Sequence, residues 1–296
     1  MLKRLRNTGV CWFLITGIFL QTACAEQSLG GYYRPKHDLN SERSVYLPPL
    51  LSFIVPGFDQ WVEGQFSAAL PYTLTGAGGF LLSRVGARNA DNRYKDFGMQ
   101  LYFSAGAMSL FHSFRTAVST RKAAGDYSFL GKDESPNELM LAPFHFSYLG
   151  NWTTLFPLIS GLAIFFLLSP TGSSPTPATF GDLFYASGIS YMSGISEELL
   201  FRGYLMPVLY QSTGDATLSI AVSGGAYALA HGLRFNHFIT ALAFGLYSGW
   251  VVQDQDWSVK EMIFVHTWFD IMAFLSDFAA HREHAFLRIP PIQIRF

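Results

Sequence analysis

Long apolar segments recur along the chain and are separated by short polar stretches. The clearest runs cover residues 66–83, 97–118, 152–169, 238–252 and 260–278. Inside a bilayer an α-helix satisfies its backbone polar groups internally, so runs of this kind favour membrane helices. Only 14% of the residues are charged, where a soluble domain has about 25%. The pattern predicts an all-α fold, a polytopic membrane helical bundle with about seven to eight membrane segments.

The N-terminus has the layout of a secretory signal peptide. Basic residues within 3–6 precede an apolar run over 10–20, and Ala23-Cys24-Ala25 forms a small-residue cleavage site. An uncleaved signal anchor is a second interpretation. A lipoprotein signal ending at the cysteine is a third, which Gln21 disfavours. Both cysteines of the chain lie in this segment. Its removal would exclude disulfides, Cys-ligated metals and a Cys nucleophile.

Changes in composition divide the chain into five regions. Their predicted bounds are 1–25 for the signal peptide or signal anchor, 26–45 for an extracytoplasmic lead-in, 46–135 for an N-terminal membrane hairpin region, 136–280 for a second membrane domain and 281–296 for a basic interfacial tail. Several prolines interrupt the first apolar stretch of the hairpin region, so we expect it to be broken or re-entrant. The net charge of −1 gives no indication of a nucleic-acid partner.

Ionisable side chains inside apolar segments are costly and indicate function. In this chain they form three groups, all of them in the second half. The groups are Glu197, Glu198 and Arg202; Tyr227 and His231; and His266 and Asp270.

The first group contains two carboxylates with different predicted surroundings. Glu198 and Arg202 are four residues apart, so they share a helix face and can form an ion pair. Glu197 is rotated by about 100° from Glu198, and its neighbour four residues on is Phe201. An unpaired carboxylate in an apolar site suits a general base that acts on water.

Together the three groups resemble the motifs of the CPBP family, the CAAX-protease and bacteriocin-processing proteins that include the type II CAAX prenyl endopeptidases. The motif E-E-x-x-x-R is matched over 197–202, and F-x-x-x-H is matched over 227–231 with Tyr in place of Phe. H-x-x-x-N or H-x-x-x-D is matched over 266–270. The order agrees, and the resemblance covers roughly residues 140–280. It implies that 136–280 is a CPBP-like intramembrane protease domain.

The resemblance implies hydrolysis of a peptide bond within or beside the membrane. Glu197 would activate a water for attack on the scissile carbonyl, and His231 would position that water and relay protons. Glu198 belongs to the same predicted catalytic set. Arg202 and Tyr227 would give structural support.

His266 and Asp270 would correspond to the polar pair beside the developing oxyanion. An Asn amide donates to an oxyanion, whereas an ionised Asp does not. Asp270 must therefore be protonated, orient His266 or contact a metal. Zn²⁺ or another divalent metal, if present, would be bound by His231, His266 and Glu197. A Glu-activated water does not require a metal, so the sequence does not decide whether the protein binds a metal cofactor.

The main hypothesis is a multi-pass intramembrane endopeptidase in a bacterial inner (cytoplasmic) membrane. Its partners would be the lipid bilayer and a peptide or membrane-protein substrate. A prenylated C-terminus is the substrate only if the host makes such proteins. The first alternative is a non-proteolytic membrane scaffold or an immunity protein of the same fold, which binds a partner. The second is an ion or proton carrier that uses buried carboxylates.

Overall fold

The computed structural model describes residues 44–123, 131–132, 134–168 and 179–279. The predicted signal segment, nearly all of the lead-in and the basic tail lie outside the described residues. The described part contains helices and turns and no strand. The predicted all-α class is therefore confirmed.

The described helices follow the predicted apolar segments closely and extend beyond several of them. They are α1 (Leu47–Ile54), α2 (Phe58–Val62), α3 (Phe66–Arg88), α4 (Asn92–Ala123), α5 (Pro136–Leu141), α6 (Trp152–Leu168), α7 (Phe180–Glu198), α8 (Met206–Thr213), α9 (Ala216–Ala230), α10 (Phe235–Asp254) and α11 (Lys260–Ala279). Two short 3₁₀ turns, Ala142–Phe144 and Phe146–Gly150, connect α5 to α6. A π-helical segment, Leu199–Leu205, joins α7 to α8.

The first apolar stretch is broken, as its prolines predict. The chain turns at Gly57, whose φ of 93° is in the left-handed region that favours glycine. Buried side chains then fasten α2 to α4. Ser113 donates to Asp59 at 2.6 Å, and the Gln60 amide exchanges hydrogen bonds with the hydroxyl and carbonyl of Ser109. The polar groups of this turn are thus satisfied inside the protein.

No helix in the part of the chain that the structure describes combines at least 18 residues with the sustained hydropathy and low charge of a membrane span. The predicted count of seven to eight membrane segments stays a prediction.

One hydrophobic cluster joins the two halves of the chain. Tyr72 and Phe111 of the N-terminal half and Ile195 and Val265 of the second half all belong to it. Helix α4 packs against both α3 and α7, so it forms the connection between the halves. The division near residue 135 stays a prediction, but the packing across it is continuous.

Helix α11 is held at its N-terminal end by a buried carboxylate. Glu261 accepts hydrogen bonds from Asn151 (2.7 Å), Thr154 (3.0 Å) and Thr153. These three residues lie at the beginning of α6. The contacts therefore fix where α11 starts relative to α6, five residues before His266.

A second buried carboxylate ties the chain before α5 to the same end of α11. Glu134 accepts from the Ser258 hydroxyl at 2.5 Å and from the Val259 backbone N–H at 3.2 Å. Burial raises the pKa of Glu134 because its charged form has lost solvent, and these hydrogen bonds oppose the shift.

Helices α7 and α11 approach closely at Gly194. A Cβ atom there would lie 3.0 Å from the backbone nitrogen of Thr267, whereas a Cβ at Gly225 would meet nothing within 4 Å. We expect Gly194→Ala to lower the free energy of unfolding by about 1–3 kcal/mol, because the helices must separate. The control Gly225→Ala should be neutral or slightly stabilising. Denaturant unfolding in detergent micelles measures both, and equal stability of the two variants would refute the expectation.

Candidate active site

The five predicted catalytic side chains come from three helical segments and meet in one place. Glu197 and Glu198 end α7, His231 directly follows α9, and His266 and Asp270 lie on α11. Oε2 of Glu197 is 3.4 Å from Nε2 of His231 and 3.7 Å from Nε2 of His266. Nε2 of His266 is also 3.6 Å from Oδ2 of Asp270. The spacing of the motifs therefore corresponds to a real cluster.

Glu198 is fully buried and supports the cluster from behind. Its Oε1 lies 3.3 Å from Nη1 of Arg202 and 2.8 Å from Nδ1 of His266, and its Oε2 accepts from Ser248 at 2.7 Å. The ion pair with Arg202 is the one that the four-residue spacing predicts. Three such partners offset the free-energy cost of burying a charged carboxylate. Glu198 is therefore placed to hold His266.

Arg202 lies inside the π-helical segment and is also buried. Its Nη2 donates to the Gly245 carbonyl at 3.2 Å, and its guanidinium carbon lies 4.5 Å from the centre of the Tyr227 ring. The ring is within the distance of a cation–π contact. π-Helical turns are rare and occur often at functional sites. Tyr227 thus packs against both Arg202 and His231.

Hydrogen bonds define which ring nitrogen of each histidine carries the proton. Nδ1 of His231 lies 2.9 Å from the Tyr227 carbonyl oxygen, which can only accept, so Nδ1 donates. Nδ1 of His266 faces the Glu198 carboxylate and donates in the same way. In the neutral rings, Nε2 of each histidine is therefore an acceptor. Both of these acceptors point at Glu197 Oε2.

The centre of the cluster is rich in acceptors. Oε2 of Glu197 and Oδ2 of Asp270 are buried and have no hydrogen-bond partner in the described part of the chain. In the neutral rings, Nε2 of His231 and Nε2 of His266 are two further acceptors of this cluster. A water molecule has two O–H groups that can donate to such acceptors.

Among the residues that the structure describes, no group of three or more His, Cys, Asp or Glu side chains is arranged so that it could hold a metal ion. Metal binding by His231, His266 and Glu197 stays a prediction.

Two serines near the cluster were not predicted from the sequence. Ser193 donates to Oε1 of Glu197 at 2.7 Å. Glu197 therefore has a hydrogen-bond partner, although Phe201 four residues downstream suggested that it has none. Ser193 precedes Glu197 by four residues, and the same helical spacing applied upstream would have found it. Ser248 is 50 residues from Glu198, and no local pattern connects them.

All five clustered residues lie within a segment that matches a known family model. Residues 179–272 match the model described as Rce1-like, type II CAAX prenyl endopeptidase Rce1-like. This segment is similar to the type II CAAX prenyl endopeptidases of the CPBP family. The matched segment is about a third of the chain, and the members of that family are membrane-embedded proteases. No curated protein and no solved structure matches the chain significantly.

The family assignment and the geometry concern the same residues. The matched segment runs from the N-cap of α7 to two residues beyond Asp270. The N-terminal helices α1–α6 lie before the match, and they pack against it through α4 and α6. The similarity to the CAAX endopeptidases thus rests on residues of the second half alone.

Proposed function

We propose that the protein is an intramembrane endopeptidase that cleaves a peptide bond of a membrane-associated peptide or protein with a water activated by Glu197. One observation carries the proposal: Oε2 of Glu197, which has no hydrogen-bond partner among the described residues, lies 3.4 Å from Nε2 of His231 and 3.7 Å from Nε2 of His266. A water among these atoms can donate one proton to the carboxylate and another to an imidazole. Its oxygen lone pair is then directed to a substrate carbonyl.

The proposed reaction follows from these roles. Glu197 takes a proton from the water as the water oxygen attacks the carbonyl carbon, and the carbonyl oxygen becomes an oxyanion. Protonated Glu197 passes its proton to the amine nitrogen as collapse of this intermediate breaks the C–N bond, and Glu197 returns to the carboxylate. The second water proton stays with the new carboxyl group and leaves to solvent.

The histidines orient the water and carry charge during the reaction. His231 Nε2 accepts a hydrogen bond from the water, and the bond of its Nδ1 to the Tyr227 carbonyl fixes the ring. His266 is fixed in the same manner by Glu198. Because both rings are held at their far nitrogen, their Nε2 atoms stay directed to the reacting centre, and little reorganisation is needed.

Asp270 is proposed to stabilise the oxyanion in its protonated form. Its Oδ2 is buried without a hydrogen-bond partner among the described residues, so a proton on this atom would be available to a substrate oxygen. A preorganised donor of this kind stabilises the negative charge that develops in the transition state.

Substitutions of Asp270 test this role. We expect Asp270→Ala to lower kcat by about 10²-fold, because one oxyanion donor is lost. Asp270→Asn should keep kcat within about 10-fold of wild type, since an amide N–H donates at every pH. The decline of kcat with rising pH that is due to deprotonation of Asp270 should disappear in this variant. Equal losses for Ala and Asn across the pH range would contradict the assignment.

The proposal is tested by a search for new chain termini. Purified protein in liposomes is incubated with a membrane-protein extract and, separately, with a farnesylated peptide ending in C-a-a-X. New carboxyl and amino termini are identified by mass spectrometry. Termini made by wild type and by Glu63→Gln but not by Glu197→Gln support the endopeptidase. The same termini from Glu197→Gln, or no new termini in either sample, would overturn it in favour of a non-proteolytic scaffold.

A further inference from the structure

Ser193 lies one helical turn before Glu197 on α7 and is completely buried. Its hydroxyl donates to Oε1 of Glu197 at 2.7 Å. This bond leaves Oε2 as the oxygen that faces the two histidines. A carboxylate without such a bond could rotate about its last torsion, which is broad for glutamate. The hydroxyl therefore selects one orientation of the group.

We propose that Ser193 is a positioning residue that directs Glu197 Oε2 to the reacting water. The inference rests on the endopeptidase function proposed above and adds a residue outside the family motifs recognised in the sequence. Ser193 does not touch the reacting atoms itself. Its effect is on the orientation of Glu197.

Ser190 provides a matched control on the same helix. It lies one turn before Ser193 and is equally buried, but its hydroxyl has no hydrogen-bond partner among the described residues. Replacing either serine by alanine removes one hydroxyl from a fully buried position. Only the change at Ser193 removes a hydrogen bond to a charged group.

The kinetic test uses an internally quenched peptide built on the bond that wild-type protein cuts most efficiently in the extract. We expect Ser193→Ala to lower kcat roughly 10- to 100-fold, the range covered by one hydrogen bond to a charged group. KM should change little, because substrate binding does not involve the hydroxyl. Ser193→Thr, which keeps the hydroxyl, should recover most of the loss, and Ser190→Ala should match wild type.

A purely structural role would not give a loss confined to kcat that Ser193→Thr recovers while Ser190→Ala has no effect.

The outcomes separate this inference from the proposed function. If Glu197→Gln is inactive while Ser193→Ala keeps the wild-type kcat, only the role of Ser193 is overturned. If Ser193→Ala and Ser190→Ala lose activity equally, the hydroxyl acts through packing and the inference is also wrong. Turnover by Glu197→Gln at the wild-type rate would instead refute the endopeptidase mechanism.

Discussion

Replacing Glu197 by glutamine is expected to lower kcat by about 10²- to 10⁴-fold, the contribution that a positioned general base usually makes. Glutamine has nearly the same shape and can still accept from Ser193, so the fold should remain intact. It cannot take a proton from water. The loss should therefore appear in kcat and kcat/KM to the same extent, because the missing interaction exists only in the transition state.

The measurement is the initial rate on the quenched peptide, with thermal unfolding recorded on the same samples. Glu63→Gln is the matched control, since it makes the same chemical change in the α2–α3 turn, far along the chain from the cluster. A Glu197→Gln protein that unfolds at the wild-type temperature and turns over at the wild-type rate would remove the basis of the mechanism. An inactive but partly unfolded sample would not satisfy the prediction.

The second large effect concerns stability. Arg202→Leu should reduce the free energy of unfolding by about 3–5 kcal/mol, the usual cost of removing one partner from a buried ion pair. Glu198 and Arg202 have side chains with no exposed surface, and their charged atoms are 3.3 Å apart. Without the guanidinium, Glu198 would keep Ser248 and His266 but lose its strongest compensating charge. Denaturant unfolding in detergent measures the difference.

An exposed ion pair supplies the control for this measurement. Arg93 contacts Asp182, but half of its side chain is exposed, at 51%. Pairs of this kind contribute about 0–1 kcal/mol. Arg93→Leu should therefore cost much less than Arg202→Leu, and the double variant Glu198→Leu/Arg202→Leu should recover part of the loss. Similar losses for the two single arginine variants would show that burial of the Glu198–Arg202 pair is not the cause.

Much of the helical architecture could be predicted because long apolar runs separated by short polar stretches favour helices. The proline-interrupted stretch before residue 63 and the helices that carry the motifs follow directly from this pattern. The π-helical segment could not be predicted, since a periodicity of 3.6 residues does not distinguish one widened turn from an α-helix. Helix α5 was missed because it is six residues long and lies in a polar stretch.

The candidate site was predictable to the extent that its partners are local. The pairs Glu198–Arg202 and His266–Asp270 are each four residues apart, so helix geometry alone brings their members together. The prediction that the three motifs converge on one site came from the family resemblance. The contact of Glu198 with Ser248 depends on how α7 and α10 cross, and the role of the Tyr227 carbonyl depends on the backbone. Neither contact can be recognised from the types and spacing of the residues.

The single cluster that joins α4 to α7 and α11 has a practical consequence for protein production. A gene fragment encoding only the family-matched portion would leave Ile195 and Val265 without Phe111 and its neighbours. The fragment would then present apolar surface that the full chain covers, and such surface promotes aggregation. Expression vectors for crystallography should therefore begin upstream of Val45, whose side chain is itself part of that cluster.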